Sequence, residues 1–548
     1  MQLVTRADMR AIEAAADAGG LPFADMMYLA GQSVASAAED LLDGAPAIVV
    51  VLIGPGSNGG DGLVASLALA DAGHIIRALV WRREPTDGLL AEAAANGAIE
   101  ILAAEAPEAL ETLAGWLAEA DLVVDALLGT GADRPIDGDL AAILDTVSEA
   151  VDGEPEGPAI LAVDLPSGLD PDTGALDPHT VAADVTVTFG FPKVGQFTWP
   201  GADAVGELQI DPIGIAPDLG RLATSGLAVT TEEEMVDLLP LLEPDAYKGS
   251  RGRVLMLAGS PGLVGAAALC AEAAYRSGCG LVTVALAERL QPAVTAWVPE
   301  CTFLNLPDLY QLPADDPAIA AAADSLLAAA ALSDAVILGP GLSLGTGVAA
   351  LLGRLLTRWA QLPADPGAPP LLLDADALNL LAQDEALARL LPAGAVLTPH
   401  PGEMARLTGL DVAAVQVRRA AEARALAERH QAVVVLKGAL TVVATPDGRA
   451  TINPCVEPAL ATAGTGDVLS GAIGGLLAQG LAPEEAAILA VWLHGRAGEL
   501  AADDLGPRSV MARDVLDALS EALQELEEGD ADLGEMLLPD DDDEDDWD

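Results

Sequence analysis

Aromatic residues are scarce, at 3% of the 548 positions. The cores must therefore be aliphatic, and 51% hydrophobic residues, mostly Ala, Leu and Val, supply them. Cysteine is rarer still. The four cysteines (Cys270, Cys279, Cys301, Cys455) show no C-x-x-C spacing. No cysteine-zinc site is indicated, and reduced thiols in a cytoplasmic protein are expected. The five histidines form no pair at ligand spacing. Apolar runs are short or broken by glycine, so no membrane span is expected. Basic residues are few: 26 Lys and Arg stand against 84 Asp and Glu, for a net charge of −58. Thirteen of those acids, with no base, fall in residues 527–548, yet the rest of the chain still carries about −45. Nucleic-acid binding through a general basic face is not expected from that balance. High-salt adaptation and a plain acidic, Ala-rich composition both account for the charge.

Lysine is the sharpest scarcity. Only Lys193, Lys248 and Lys437 occur, each in a loop string flanked by Gly or Pro: FPKVG, YKGSRG and LKGA. A compact ammonium suits a phosphate or a tight pocket.

A chain of this length divides into two to four domains. Residues 3–42 read as helices, with Thr5 capping the first. Residues 47–53 are a buried strand of the parallel type, followed by GPGSNGGDG (54–62) and a helix expected over 63–72. Strand, Gly-rich turn and helix form a nucleotide-binding unit, although the glycine spacing differs from the usual dinucleotide fingerprint. Strands at 76–81, 122–126 and 160–163 follow. Asp125 precedes LLGTGADRP (127–135), and Asp164 opens DLPSGLD (164–170). In an open α/β sheet such strand ends gather along one edge, where ligands bind. Carbonyls and hydroxyls with Asn58, Asp125 and Ser167 could hold a hard monovalent cation.

Residues 214–245 read as a connector. Beyond it, strands at 253–258, 282–285, 335–338, 371–373, 396–398, 433–436 and 442–445 each lead into a loop with Gly or a charge. That is a second doubly wound α/β domain. Its loops include GSPGLVGA (259–266), GPGLS (339–343), DADALN (374–379), PHPGEMARL (399–407), KGALT (437–441) and AGTGD (463–467). In AGTGD, backbone amides converge ahead of a helix expected from Val468. A helix N-terminus of that kind attracts phosphate. A carboxylate there, Asp467, is better explained as a base beside a phosphate than as part of its cradle. The alternative is a helix-capping Asp. The segment from Glu527 is acidic, of low complexity and expected to be disordered.

Taken together, GPGSNGGDG, LLGTGADRP, VDLPSGLD and the FPK loop resemble the N-terminal domain of bifunctional NAD(P)H-hydrate repair enzymes. DADALN, TPHPGE, KGALT and AGTGD resemble their C-terminal, ribokinase-like half. The resemblance implies two doubly wound α/β domains, the first Rossmann-like (1–225) and the second ribokinase-like (226–526), before the tail at 527–548. It implies an epimerase of hydrated NADH and NADPH, and a dehydratase that phosphorylates the C6 hydroxyl from ADP and then loses phosphate. By resemblance, Asn58, Asp125 and Ser167 hold potassium. Ser57, Asn58, Gly59, Gly60 and Asp61, with Gly129, Thr130, Gly131, Ala132, Asp133, Arg134 and Pro135, hold the hydrate, and Asp164 handles the proton. In the second domain Ala266, Gly341, His400 and Asp467 touch the hydrate, Asp467 as catalytic base. Lys437, Gly438, Ala439, Leu440 and Thr441, with Gly466, touch the adenylate. The resemblance also implies magnesium with the nucleotide and a homo-oligomer. The chain departs from the family pattern at Ser57, usually Asn, and at Val456–Leu460 (VEPAL), usually Gly-Asn-Pro-Gly-Met, which puts that loop in question. Two other readings are open. One is a ribokinase-type small-molecule kinase fused to a non-catalytic nucleotide-binding domain. The other is a non-catalytic scaffold like that of messenger-RNA decapping proteins, against which Asp125, Asp164 and Ser167 argue.

Overall fold

The computed structural model describes residues 1–84, 86–131, 134–153, 157–359 and 368–536. The chain divides into two compact units, Met1–Leu227 and Ala228–Asp548.

The first unit is built on seven strands: β1 (Ile48–Ile53), β2 (Ile75–Val80), β3 (Ile99–Ala103), β4 (Leu122–Ala126), β5 (Ala159–Val163), β6 (Val185–Phe189) and β7 (Glu207–Asp211). They pair in parallel in the order β3-β2-β1-β4-β5-β6-β7. The order reverses between β1 and β4, the crevice where such sheets bind ligands. Strand β1 shows why the sequence chose a buried parallel strand. Val49, Val51 and Ile53 pack into one core and Val50 and Leu52 into another, one on each face. Strands β3 and β7 were not legible: both carry charged residues and are only partly buried.

One expectation is corrected here. The helix after β1 runs Ser57–Ala72, so residues 57–62 of the stretch expected as a Gly-rich turn are the helix's own first turns, and only residues 54–56 turn. Its glycines serve close packing. A Cβ on Gly59 would lie 2.0 Å from the Gly54 carbonyl oxygen, and one on Gly62 2.5 Å from Ala126 Cβ. The first helix matches expectation: Thr5 caps Arg6–Ala18 in a reciprocal capping box with Asp8.

The second unit carries ten strands: β8 (Leu227–Val229), β9 (Arg253–Leu257), β10 (Leu281–Ala287), β11 (Thr302–Leu306), β12 (Ala335–Leu338), β13 (Leu371–Leu373), β14 (Val396–Leu397), β15 (Val433–Leu436), β16 (Val442–Ala444) and β17 (Ala450–Ile452). The order is β11-β10-β9-β12-β13-β14-β15-β16-β17-β8, parallel through β15 and antiparallel at β15-β16 and β16-β17. The helix carrying Asp467 spans Thr465–Ala478. It lies close against the helix Val264–Arg276 because Gly471 and Gly475 leave room for backbone. A Cβ at those positions would sit 2.2 Å from the Cys270 carbonyl oxygen and 2.6 Å from that of Ala274.

The acidic segment is corrected in part. The last helix runs Ala512–Met536, so residues 527–536, expected to be disordered, belong to it. An i,i+4 contact such as Gln524 Nε2 to Glu528 Oε1, at 2.7 Å, continues the helix past Glu527. Residues 537–548 lie outside the described residues. No described helix is long and apolar enough to cross a membrane.

Candidate active sites

In the first unit, the C-terminal ends of β1, β4 and β5 surround a cavity of about 530 Å³. Ser57, Asn58, Asp61, Gly129, Thr130, Gly131 and Asp164 line it, together with Arg10, Glu13 and Lys193. Gly59 and Gly60 are buried in the adjoining helix turn. Arg134 and Pro135 are exposed and outside the cavity lining. Ala132 and Asp133 lie outside the described residues.

Asp164 follows β5 with φ +65°, an uncommon conformation for a non-glycine residue that is frequent at functional sites. Its Oδ1 accepts from Lys193 Nζ and from Thr188 Oγ1, the latter at 3.1 Å. Lys193 Nζ also donates to Thr188 Oγ1 (2.8 Å) and the Phe189 carbonyl (3.0 Å). Gln196 Nε2 donates to the Asp164 carbonyl at 2.9 Å and Gln196 Oε1 accepts from Lys193 N at 2.7 Å, which pins the two segments together. Lys193 is 1% exposed. Its rarity in the sequence marked it, but nothing there named Asp164 as its partner. Asp61 is also buried, and burial, then Asp164 and Glu13, push its carboxyl well above the usual range. Glu13 is raised by burial as well.

Behind this cavity, Asn58, Asp125 and Ser167 come together. Ser167 Oγ donates to Asp125 Oδ1 (2.7 Å) and Ser167 N to Oδ2 (2.8 Å). Asn58 Nδ2 donates to the Val163 and Leu128 carbonyls at 2.6 and 3.1 Å, which leaves Oδ1 turned toward Gly129. The set is hard oxygen with one carboxylate. Burial raises Asp125, and among the described residues no cationic side chain pairs with it. A monovalent cation fits such a donor set.

In the second unit a buried carboxylate joins the strand ends. Asp374, after β13, is 1% exposed. It accepts from Lys437 Nζ (2.8 Å), Thr398 Oγ1 (2.7 Å) and Ser470 Oγ (2.9 Å). Sequence reasoning gave Asp374 no role, though its motif was noted. The neighbouring Ala375, at φ +49°, is the strained position that follows it. Gly464 caps the Asp467 helix at φ +99° with no side-chain cap bond, so Asp467 at the third helical position is not a cap. Burial, then Asp374, raises the Asp467 carboxyl to about 7. A Cβ on Gly466 would lie 3.2 Å from Lys437 Nζ, so this glycine lets the ammonium reach the helix start. Burial works against the charge of Lys437, but Asp374 and then Glu403 hold it above its usual range.

His400 caps the helix Pro401–Thr408: its Nδ1 accepts from Gly402 N at 3.0 Å. Glu403 Oε2 accepts from His400 N at 2.9 Å, and burial raises Glu403 to about 7. Burial and then Lys437 lower His400. Ala266 and Gly341 meet: a Cβ on Gly341, at φ +59°, would be 2.9 Å from Ala266 Cβ. A second cavity, about 280 Å³, is lined by Lys437, Gly438, Ala439, Thr441 and Gly466. Leu440 belongs elsewhere. Its side chain is buried and its N–H donates to the Cys455 carbonyl at 3.1 Å. Asn453 and His494 also line this cavity, and neither was singled out from sequence. His494 Nε2 lies 2.9 Å from the Thr465 carbonyl, and burial lowers the ring to about 4, so the neutral imidazole donates there.

The departing loop keeps a turn by other means. Glu457 Oε1 accepts from Ala459 N at 2.7 Å and caps the short helix Pro458–Leu460. None of residues 456–461 has a positive φ, so glycine is not required there.

Fold and sites thus define an α/β enzyme with a Rossmann-like unit and a unit holding a phosphate-type helix terminus beside a base. Residues 24–195 match the family YjeF-related protein N-terminus, and residues 254–521 match NAD(P)H-hydrate dehydratase. The chain is 39% identical over 539 residues to a bifunctional NAD(P)H-hydrate repair enzyme of Moorella thermoacetica, covering 96% of this chain and 98% of that one. The Escherichia coli enzyme of the same name is 34% identical, covering 92% and 90%. An ADP/ATP-dependent NAD(P)H-hydrate dehydratase of Bacillus subtilis, crystallised with ATP and Mg2+, is 32% identical with TM-score 0.45, over 55% of this chain and 98% of that one. The chain belongs to the bifunctional NAD(P)H-hydrate repair enzymes.

Proposed function

We infer that the chain repairs hydrated NADH and NADPH with two active sites, one in each unit: residues 1–225 as the epimerase domain and 226–526 as the dehydratase domain. Full-length similarity to bifunctional repair enzymes supports this over a lone kinase with a non-catalytic partner domain. The observation that carries the first site is the buried Asp164–Lys193 pair facing the 530 Å³ cavity. Lys193 and Thr188 fix the Asp164 carboxylate at the cavity, where it handles a proton in the exchange at the hydrate's C6. The Ser57–Asp61 turn and the Gly129–Gly131 loop enclose the hydrated ring.

In the second site Asp467 removes the C6 hydroxyl proton and the oxygen attacks the terminal phosphoryl group of ADP. Phosphate then leaves C6 as a proton leaves C5, which restores the dihydronicotinamide. The amides of Gly464–Gly466 and the Lys437 ammonium stabilise charge on the phosphoryl group in transit. Lys437, Gly438, Ala439, Thr441 and Gly466 hold the nucleotide; Ala266, Gly341 and His400 hold the hydrate. Magnesium would accompany the nucleotide's phosphates. Potassium would be held by Asn58, Asp125 and Ser167, where it would neutralise the buried carboxylate and fix the Gly129 loop. We place the enzyme in the cytoplasm, in keeping with four unpaired thiols, and read it as a homo-oligomer by resemblance to the family alone. The test is incubation with mixed R and S NADH hydrate plus ADP. Absorbance of regenerated NADH should account for both forms, and stoichiometric AMP and phosphate should appear.

A further inference from the structure

An epimerase must remove a group from one face of a carbon and return it to the other. One carboxylate does not explain that. The first cavity holds a second carboxyl with the complementary character. Asp61 lies in the first turns of the helix Ser57–Ala72, which follows β1; Asp164 follows β5. The sheet order places β4 between those strands, and its Gly129–Gly131 loop lines the cavity between them. Asp164 is committed to Lys193 and Thr188. Asp61 is 6% exposed, lines the same cavity, and makes no side-chain hydrogen bond among the described residues. Arg83, a cation whose charge acts on it, spends its guanidinium on the Gly54 and Gly56 carbonyls and on Asp87.

We propose that Asp61 is the acid partner of Asp164 in epimerisation, so that two carboxyl groups carrying one proton between them serve the two faces of the hydrate at C6. This rests on the epimerase reading of the first unit. Burial raises Asp61, which has no cation bonded to it among the described residues, while Asp164 is held by Lys193 and Thr188, so the two carboxyls of one cavity stand in unlike surroundings, the arrangement of an acid and base pair. Asp61 gives its proton to the C6 hydroxyl. The C6–O bond breaks, water leaves with the bonding pair, and the N1 lone pair forms N1=C6. A water on the other face loses a proton to Asp164 as its oxygen bonds to C6, and the N1=C6 π pair returns to N1. The net change is inversion at C6, exchange of its oxygen with water, and one proton moved from Asp61 to Asp164. Solvent exchange of that proton resets the site, and the reverse epimerisation runs with the roles exchanged.

The experiment uses the full chain and the R hydrate left after an Asp164→Asn variant has consumed the S form with ADP. Wild type is added first; if it does not convert the R hydrate, the epimerase reading fails before Asp61 is at issue. Given wild-type conversion, Asp61→Asn is expected to lower kcat of epimerisation on the order of 10²–10⁴-fold with KM changed little. Asp61→Glu should recover part of it, and both variants should dehydrate S hydrate at the wild-type rate. A kcat within a few-fold of wild type overturns the proposal, as does a loss carried by KM alone. Should Asp61→Asn fail to fold, wild-type epimerisation in H2(18)O decides. One ¹⁸O per inversion above the uncatalysed rate is expected, and inversion with the original oxygen retained overturns the route.

Discussion

Lys437 Nζ sits 2.8 Å from Asp374 Oδ1, with both groups withdrawn from solvent. The lysine enters from the end of β15 and the aspartate from the end of β13, so one ion pair ties two loops of the second site. Removing one partner of a buried pair typically costs about 3–5 kcal/mol, because the other charge is left uncompensated. Asp374→Ala is therefore expected to lower the melting temperature sharply and to weaken nucleotide binding, since Lys437 loses the group that aims it. Asp374→Asn keeps the shape and should lose less stability. Thermal melting with adenine-nucleotide titration checks both.

Dehydration should depend on pH through Asp467. A base must be ionised, and this carboxyl is held at about 7 by burial and then by Asp374. The rate is expected to rise with pH through about 7 and then level. Glu403, at about 7 in the same region, will broaden that limb. A kcat profile over pH 5–9 on S hydrate, with saturating ADP, is the measurement.

The same group makes a stability prediction with a definite sign. A carboxyl raised in the folded state binds its proton more tightly than in the unfolded chain. Stability is therefore highest below the unfolded value of about 4 and falls as pH rises toward about 7. Asp467→Asn removes that loss. It should melt above wild type at pH 8, by on the order of 2–4 °C per kcal/mol recovered, and converge with it near pH 4. A capping role would give the reverse, a variant less stable at pH 8 by about 1 kcal/mol.

Potassium should stabilise the first unit. Binding to the folded state alone raises stability by mass action. Melting temperature is expected to rise with potassium chloride relative to choline chloride at equal ionic strength, and Asp125→Asn should abolish the difference. The comparison needs no turnover.

Much of this was legible in the sequence because strand ends carry the chemistry. Strands β1, β4 and β5 declared themselves by buried β-branched runs, and Asn58, Asp125, Asp164 and Ser167 followed at their ends. What was hidden depended on pairing across the fold. Lys193 and Asp164 are 29 residues apart, and Ser470 and Asp374 are 96 apart. No local pattern announces such partners. Gly59 and Gly62 misled for another reason. Glycine reads as a turn former, whereas here it admits a neighbouring carbonyl and methyl within a helix.

The central claim is that two separate sites act in sequence on one mixed substrate. The direct measurement is NADH regenerated from mixed R and S hydrate with ADP, by wild type, Asp164→Asn and Asp467→Asn. Wild type should convert the whole mixture. Asp164→Asn should convert the S share at the normal rate and then slow to spontaneous epimerisation. Asp467→Asn should release almost no NADH while still interconverting R and S. Loss of both activities in either folded variant, or full conversion by both, would contradict the account.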